Sequence, residues 1–211
     1  MAVLAVARIP AEQVGTHLVN TLDVIDWRRR TFALYAEVRA IADPAEAHAH
    51  WCEVRQEMFL HHPASAAAVD LAVSPYDPAW RFEVQIQDAA PATFEYETGT
   101  DGLVTFDRVG TVDIPNVGTL DVWRHEGYGG GIFLPIRDTS ADTYGGGRYL
   151  LDTIKGADLG FDAALNSLVL DVNFAYNPSC AYDPAWACPL APAGDRVAVE
   201  VPVGERYNGP H

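Results

Sequence analysis

The chain has 211 residues, 49% of them hydrophobic and spread along its length, which suits one domain with a substantial core and is short for two. Its 29 acidic and 14 basic residues give a formal charge of −15. That balance argues against nucleic acid or an anionic membrane surface as a partner, because phosphate backbones draw proteins through clustered Lys and Arg.

Met1 to Ala7 is apolar, but no cationic segment precedes it and Arg8 and Pro10 follow at once, unlike a secretory signal. No apolar stretch approaches the roughly 20 residues of a membrane span. Three cysteines, Cys52, Cys180 and Cys188, make an odd count that does not suggest the disulfide framework of a secreted protein. A cytoplasmic protein is therefore expected, with a homodimer left as an open alternative.

Residues 1–20 carry no periodic pattern and read as an N-terminal arm ahead of a single domain over 21–211. Trp27, Thr31, Leu34, Tyr35, Val38 and Ile41 then recur at three- and four-residue spacing, one stripe of an amphipathic helix. The run Arg28-Arg29-Arg30 lies in that helix, and successive helical residues point about 100° apart, so the three cations form no patch. Asp43-Pro44-Ala45-Glu46 announces a second helix through an acceptor at the cap, Pro in the first turn and Glu three residues on. Its stripe is Ala47, Trp51, Val54 and Met58, and Pro63 stops it. Residues 21–62 thus read as a helical hairpin.

From Trp80 the period becomes two, with Phe82, Val84 and Ile86 alternating against Arg81, Glu83, Gln85 and Gln87, as in a strand with one wet face. Thr93 to Thr98 and Leu103 to Arg108 flank Gly99-Thr100-Asp101-Gly102, a hairpin turn composition. Leu120 to His125 and Ile132 to Ile136 flank the glycines from Gly127 to Gly131. Arg148 to Leu151, Leu168 to Asn173 and Arg196 to Val203 complete about eight expected strands in a β-rich core over 75–207. The expected fold is α+β: the helical hairpin packed on a mainly antiparallel, strongly bent β-sheet or a small β-barrel.

Three segments carry a family resemblance: FLPIRDTSADTYGGGRYLLD from Phe133 to Asp152, LDVNFAYNPSCAY from Leu170 to Tyr182, and CPLAP from Cys188 to Pro192 with Gly204-Glu205 after it. With His62-Pro63 and Tyr76-Asp77-Pro78, they make residues 45–207 resemble the bacterial family catalogued as domain of unknown function 1684. The chain departs from that pattern at Val172, at Ala193-Gly194-Asp195 and at Ala64-Ser65-Ala66. The resemblance implies no established activity, cofactor or substrate.

Gly145-Gly146-Gly147 before Arg148 allows close backbone approach, and the Arg148 fork suits a carboxylate or phosphate. The alternative is an internal strut paired with Asp138 or Asp171. Strand alternation puts Asp171 and Asn173 on one face, where a buried carboxylate and amide must be hydrogen-bonded or line a wet cavity. By the same alternation Tyr176 faces away from Asn173 unless the strand has ended. Asn177 before Pro178 reads first as turn chemistry. The candidate set is Asp138, Asp171 and Tyr144 for acid/base work, with Arg148, Tyr149, Asn173, Tyr176 and Asn177 binding substrate.

No segment presents three or four metal ligands at recognisable spacing. His48 and Cys52 lie one helical turn apart without further ligands on that face, and no cofactor motif is present. Cys180 and Cys188 read as buried thiols or a loop-closing pair. The expected function is a cofactor-independent enzyme acting on a small anionic molecule in a sheet-lined pocket, and the alternative is a non-catalytic ligand-binding or interaction domain.

Overall fold

A computed structural model describes residues 20–98, 102–127 and 129–209. The expected arm, apart from Asn20, and the centre of the 99–102 turn lie outside the described residues. Helix α1 spans Thr21–Ala40 and helix α2 spans Pro44–His61. Asp43 caps α2 as its sequence announces, accepting the amides of Ala45 and Glu46 at 2.8 and 3.0 Å. The helix ends two residues before Pro63, because the residue preceding a proline avoids helical backbone.

Eight strands follow: β1 Arg81–Gln85, β2 Thr93–Thr98, β3 Gly102–Ile114, β4 Gly118–His125, β5 Ile132–Ile136, β6 Arg148–Asp152, β7 Phe161–Asp162 and β8 Ser167–Asp171. They form two separate antiparallel sheets, one in the order β1-β8-β7 and one in the order β2-β3-β4-β5-β6. The sheet is not closed into the small barrel held open as an alternative. Val84 and Leu170 of the smaller sheet join Val112, Leu120, Val122, Leu134, Ile136 and Leu150 of the larger in one buried core. A second cluster seats the hairpin: Leu34, Tyr35 and Val38 of α1 and Ala47 and Trp51 of α2 pack on Ala157 and Phe174. The fold is α+β, with two N-terminal helices packed on antiparallel sheets.

Two expected strands differ from the alternation. Residues Leu168 to Asn173 do not continue as a strand, because Asp171 accepts the Asn173 amide at 3.1 Å and the chain coils into a 3-10 turn over Val172–Phe174. A side chain that satisfies a backbone amide two residues on competes with the ladder. Arg196 to Val203 belongs to neither sheet: it makes one isolated bridge, Arg196 with Arg137, and bends at Ala198 and Val199. Its Val197 amide bonds the Arg137 carbonyl at 2.9 Å, and its Val201 amide turns instead to the Asp138 carboxylate at 2.9 Å. Pro202 has no amide to give.

Candidate functional site

Arg148, the first residue of β6, is fully buried. Its Nη1 donates to the carbonyls of Val203 and Glu205, and its Nη2 donates to the Val201 carbonyl and to Asp138, each of the last two at 3.2 Å. Both terminal nitrogens thus pin 201–205 against β6, the strut alternative of the sequence reading, while the buried Nε has no hydrogen-bond partner. Burial raises the Asp138 carboxyl, but Arg148 and the hydrogen bonds from Ser140 and Val201 outweigh it and hold the group below its ordinary range.

Asp171 and Asn173 form a second internal staple. Asn173 Nδ2 donates to Asp171 at 2.7 Å and to the Asp77 carbonyl at 2.9 Å, and its Oδ1 accepts the Asp77 amide at 2.9 Å. Tyr76 donates its hydroxyl to Asp171 at 3.1 Å. Burial pushes the Asp171 carboxyl up against these bonds. His48 of α2 reaches the Asn173 carbonyl at 3.0 Å, which ties the hairpin to the end of β8; burial keeps the imidazole below its usual pKa.

The eight candidate residues do not converge. Asp138 is bonded to Arg148, and Asn173 to Asp77 and Asp171, while Asp171 borders a small cleft with Arg39, Arg81 and Phe174. Tyr144 lines an open groove on another face. Tyr149, Tyr176 and Asn177 do come together, in a cavity of about 290 Å³ between the helical hairpin and the segment from Tyr176 to Ala187. Because the strand ends at Asp171, the alternation that would turn Tyr176 away no longer applies. The amides of Tyr149 and Tyr176 bond each other's carbonyls at 2.8 and 3.1 Å.

The aromatic residues Trp27, Tyr35, Phe59, Tyr149, Tyr176 and Trp186 line this cavity, together with the cations Arg28, Arg55 and Lys155. Among the described residues no Asp, Glu or His lines it, although two of the cations are held by carboxylates, Arg55 by Glu205 and Lys155 by Asp152. Arg55 is the residue the sequence reading missed. Trp51, Arg55 and Phe59 are spaced by four on α2, so the arginine lies within an aromatic stripe, and that stripe is the signal that could have found it.

The Arg55 guanidinium stands 5.6, 4.7 and 4.8 Å from the ring centres of Trp51, Phe59 and Tyr176, within cation–π range. Its Nε and Nη2 grip the fully buried carboxylate of Glu205 side-on. Burial works against the Arg55 charge, and Glu205 more than offsets it. Side-on pairing occupies one edge of the fork, and Nη1 has no hydrogen bond among the described residues. Glu205 also accepts the Asn177 amide at 2.8 Å. The Asn177 Nδ2 donates to Tyr182 and to the Arg206 carbonyl, while its buried Oδ1 has no partner. Arg55 therefore keeps one nitrogen without a hydrogen bond among the described residues, beside flat apolar surfaces, whereas Asn177 Oδ1 is itself shut away from solvent.

Among the described residues no group of three or more His, Cys, Asp or Glu side chains is placed to hold a metal, and no helix is long and apolar enough to cross a membrane.

Comparison with protein families matches residues 69–206 to "Protein of unknown function (DUF1684)". The match begins after the helical hairpin, not at residue 45. A comparison with curated proteins finds no match. Among solved structures, the chain is similar to an uncharacterized protein of Haloarcula marismortui determined by solution NMR. The two are 25% identical with a TM-score of 0.52, over 91% of this chain and 100% of that one.

Proposed function

This chain belongs to the DUF1684 family of proteins of unknown function, and we propose that it is a cytoplasmic binding protein for a small anion with a flat apolar body. The observation that carries this reading is the Arg55 guanidinium, held side-on by Glu205 among Trp51, Phe59 and Tyr176 with its outer edge unused. A planar fork gives paired bonds to a carboxylate or phosphate, and the surrounding rings supply apolar area for the rest of the molecule. Arg28, on the same lining, adds charge of the right sign, while Lys155 is paired with Asp152 at 3.6 Å. The volume lies at the small end of ligand sites.

Binding is favoured over acid/base turnover because the carboxylates expected to perform it lie elsewhere. Asp138 is consumed by Arg148 and Val201, and Asp171 is bonded by Asn173 and Tyr76 away from this cavity. Three free cysteines suit a reducing compartment.

Chemical-shift mapping with 2-naphthoate as probe tests the reading. The indole signals of Trp27 and Trp186, which line the cavity, should move in a saturable way, while that of Trp80, which packs on the core between the sheets, stays in place. Unmoved Trp27 and Trp186 signals at millimolar probe would overturn it.

A further inference from the structure

The segment from Pro178 to Cys188 is a partition. Pro178, Ser179, Ala185, Trp186 and Ala187 face the cavity, while Cys180, Ala181, Tyr182 and Pro184 line an open groove of about 910 Å³ on its other side. Within this partition lie two cysteines eight positions apart, and the Cys180 amide donates to Cys188 Sγ at 3.4 Å. The Tyr144 hydroxyl lies 3.8 Å from Cys180 Sγ. Cys180 is half-exposed in the groove and Cys188 is buried behind it. Arg137, Arg206 and Asp70 share the groove with Cys180, and Arg206 is paired with Asp142 at 3.0 Å.

We propose that Cys180 and Cys188 are a reversible redox pair, oxidised to an intrachain disulfide by a low-molecular-weight disulfide that reaches Cys180 through the groove. Disulfides need Cα atoms within about 4.4–6.8 Å, and the amide contact puts Cys188 Sγ 3.4 Å from the Cys180 backbone, within reach of the Cys180 side chain. The donors around Cys188, first the Cys180 thiol and then the amides of Cys180 and Ser179, outweigh its burial and hold it below the usual thiol range. Exchange proceeds from the form with one proton on the pair, a Cys180 thiol beside a Cys188 thiolate, because a thiolate is the form that exchanges.

The exchange balances. As the Cys180 sulfur attacks one sulfur of the small disulfide RS–SR, its proton passes to Cys188, the S–S bond breaks and RS⁻ leaves. RS⁻ takes the proton back from Cys188 and departs as RSH. The Cys188 thiolate then attacks Cys180 Sγ and expels the second RS⁻. The protein has lost two electrons and one proton, and the small disulfide has been reduced to RSH and RS⁻. Low-molecular-weight biological disulfides carry carboxylates, to which Arg137 on the groove lining is complementary. The new bond closes the partition into a ring and fixes the cavity wall that includes Trp186.

The test treats the full chain with glutathione disulfide, then counts thiols after denaturation and weighs the intact protein. Two of the three thiols should disappear with the loss of two hydrogen masses, and dithiothreitol should restore them. Cys52→Ser should react as the parent does, whereas Cys180→Ser and Cys188→Ser should lose no hydrogen pair. A parent chain that keeps all its thiols, a product joined through Cys52 or between two chains, or a pair loss that persists in Cys180→Ser would each overturn the proposal. Thiol counts do not depend on what the cavity binds, so failure here and failure of the ligand reading are distinguishable.

Discussion

Arg55 of the second helix holds Glu205, 150 residues further on, by a two-bond side-on pair in which the carboxylate is fully buried. The pair joins the hairpin to the C-terminal segment and leaves a guanidinium edge on the cavity. Removing one partner of such a pair leaves an uncompensated buried charge and costs about 3–5 kcal/mol. Glu205→Gln should therefore lower stability in urea melts by that order, and the Arg55→Met/Glu205→Gln double variant should recover much of it. Additive losses would show that the two side chains do not act as a pair.

Gly204 places that carboxylate. Its φ is +81°, and a Cβ there would lie 2.7 Å from the Ala175 carbonyl oxygen, which accepts the Glu205 amide at 2.8 Å. Gly204→Ala should cost about 1–3 kcal/mol, read from the urea midpoint. An unchanged midpoint would mean that the turn tolerates a side chain.

Arg148 should behave as a strut. Its bonds to Asp138 and to the carbonyls of Val201, Val203 and Glu205 leave an unpaired buried carboxylate if it is deleted, so Arg148→Ala should lose about 3–5 kcal/mol. Arg148→Lys should also melt early, because one ammonium cannot reproduce the fork. Parent-like melting of both variants would return Arg148 to the list of ligand-binding candidates.

Asp195 gives a pH signature. It is fully buried and accepts the Asp121 amide at 3.0 Å and the Trp123 indole at 2.7 Å. Burial first, and then the neighbouring Asp121 charge, raise its pKa from 3.8 to about 8 despite those bonds. A carboxyl whose folded pKa is raised binds its proton more tightly in the folded state. Its contribution is fully present below about pH 4 and is lost as pH rises through about 8. Melting temperatures of the parent relative to Asp195→Asn should therefore fall across that window. A difference that stays flat from pH 4 to 8 would show that Asp195 is ionised when folded.

The helices, their boundaries and most strands were legible because each rests on local chemistry: the Asp43 cap, the stop before Pro63 and the alternation from Phe82 to Val84. What failed needed partners. Arg196 to Val203 has the composition of a strand, but the groups that would complete a ladder go to Asp138 and Arg148. Leu168 to Asn173 ends early because the Asp171 side chain takes the Asn173 amide. Of the candidate residues, Tyr149, Tyr176 and Asn177 lie on one cavity. Asp138, Arg148, Asp171 and Asn173 look the same in sequence whether they bind a ligand or each other. Arg55 escaped because a single cation in an aromatic helical stripe reads as a surface residue until the carboxylate that holds it is known.

The most direct measurement is calorimetric titration of the parent and the Arg55→Met/Glu205→Gln variant with 2-naphthoate and with neutral 2-naphthamide. The parent should prefer the carboxylate by about tenfold, worth ~1.4 kcal/mol, and the variant, which has lost the fork but kept the net charge of the pair, should bind both alike. Equal affinities in the parent, or a preference that survives in the variant, would contradict an anion site built on Arg55.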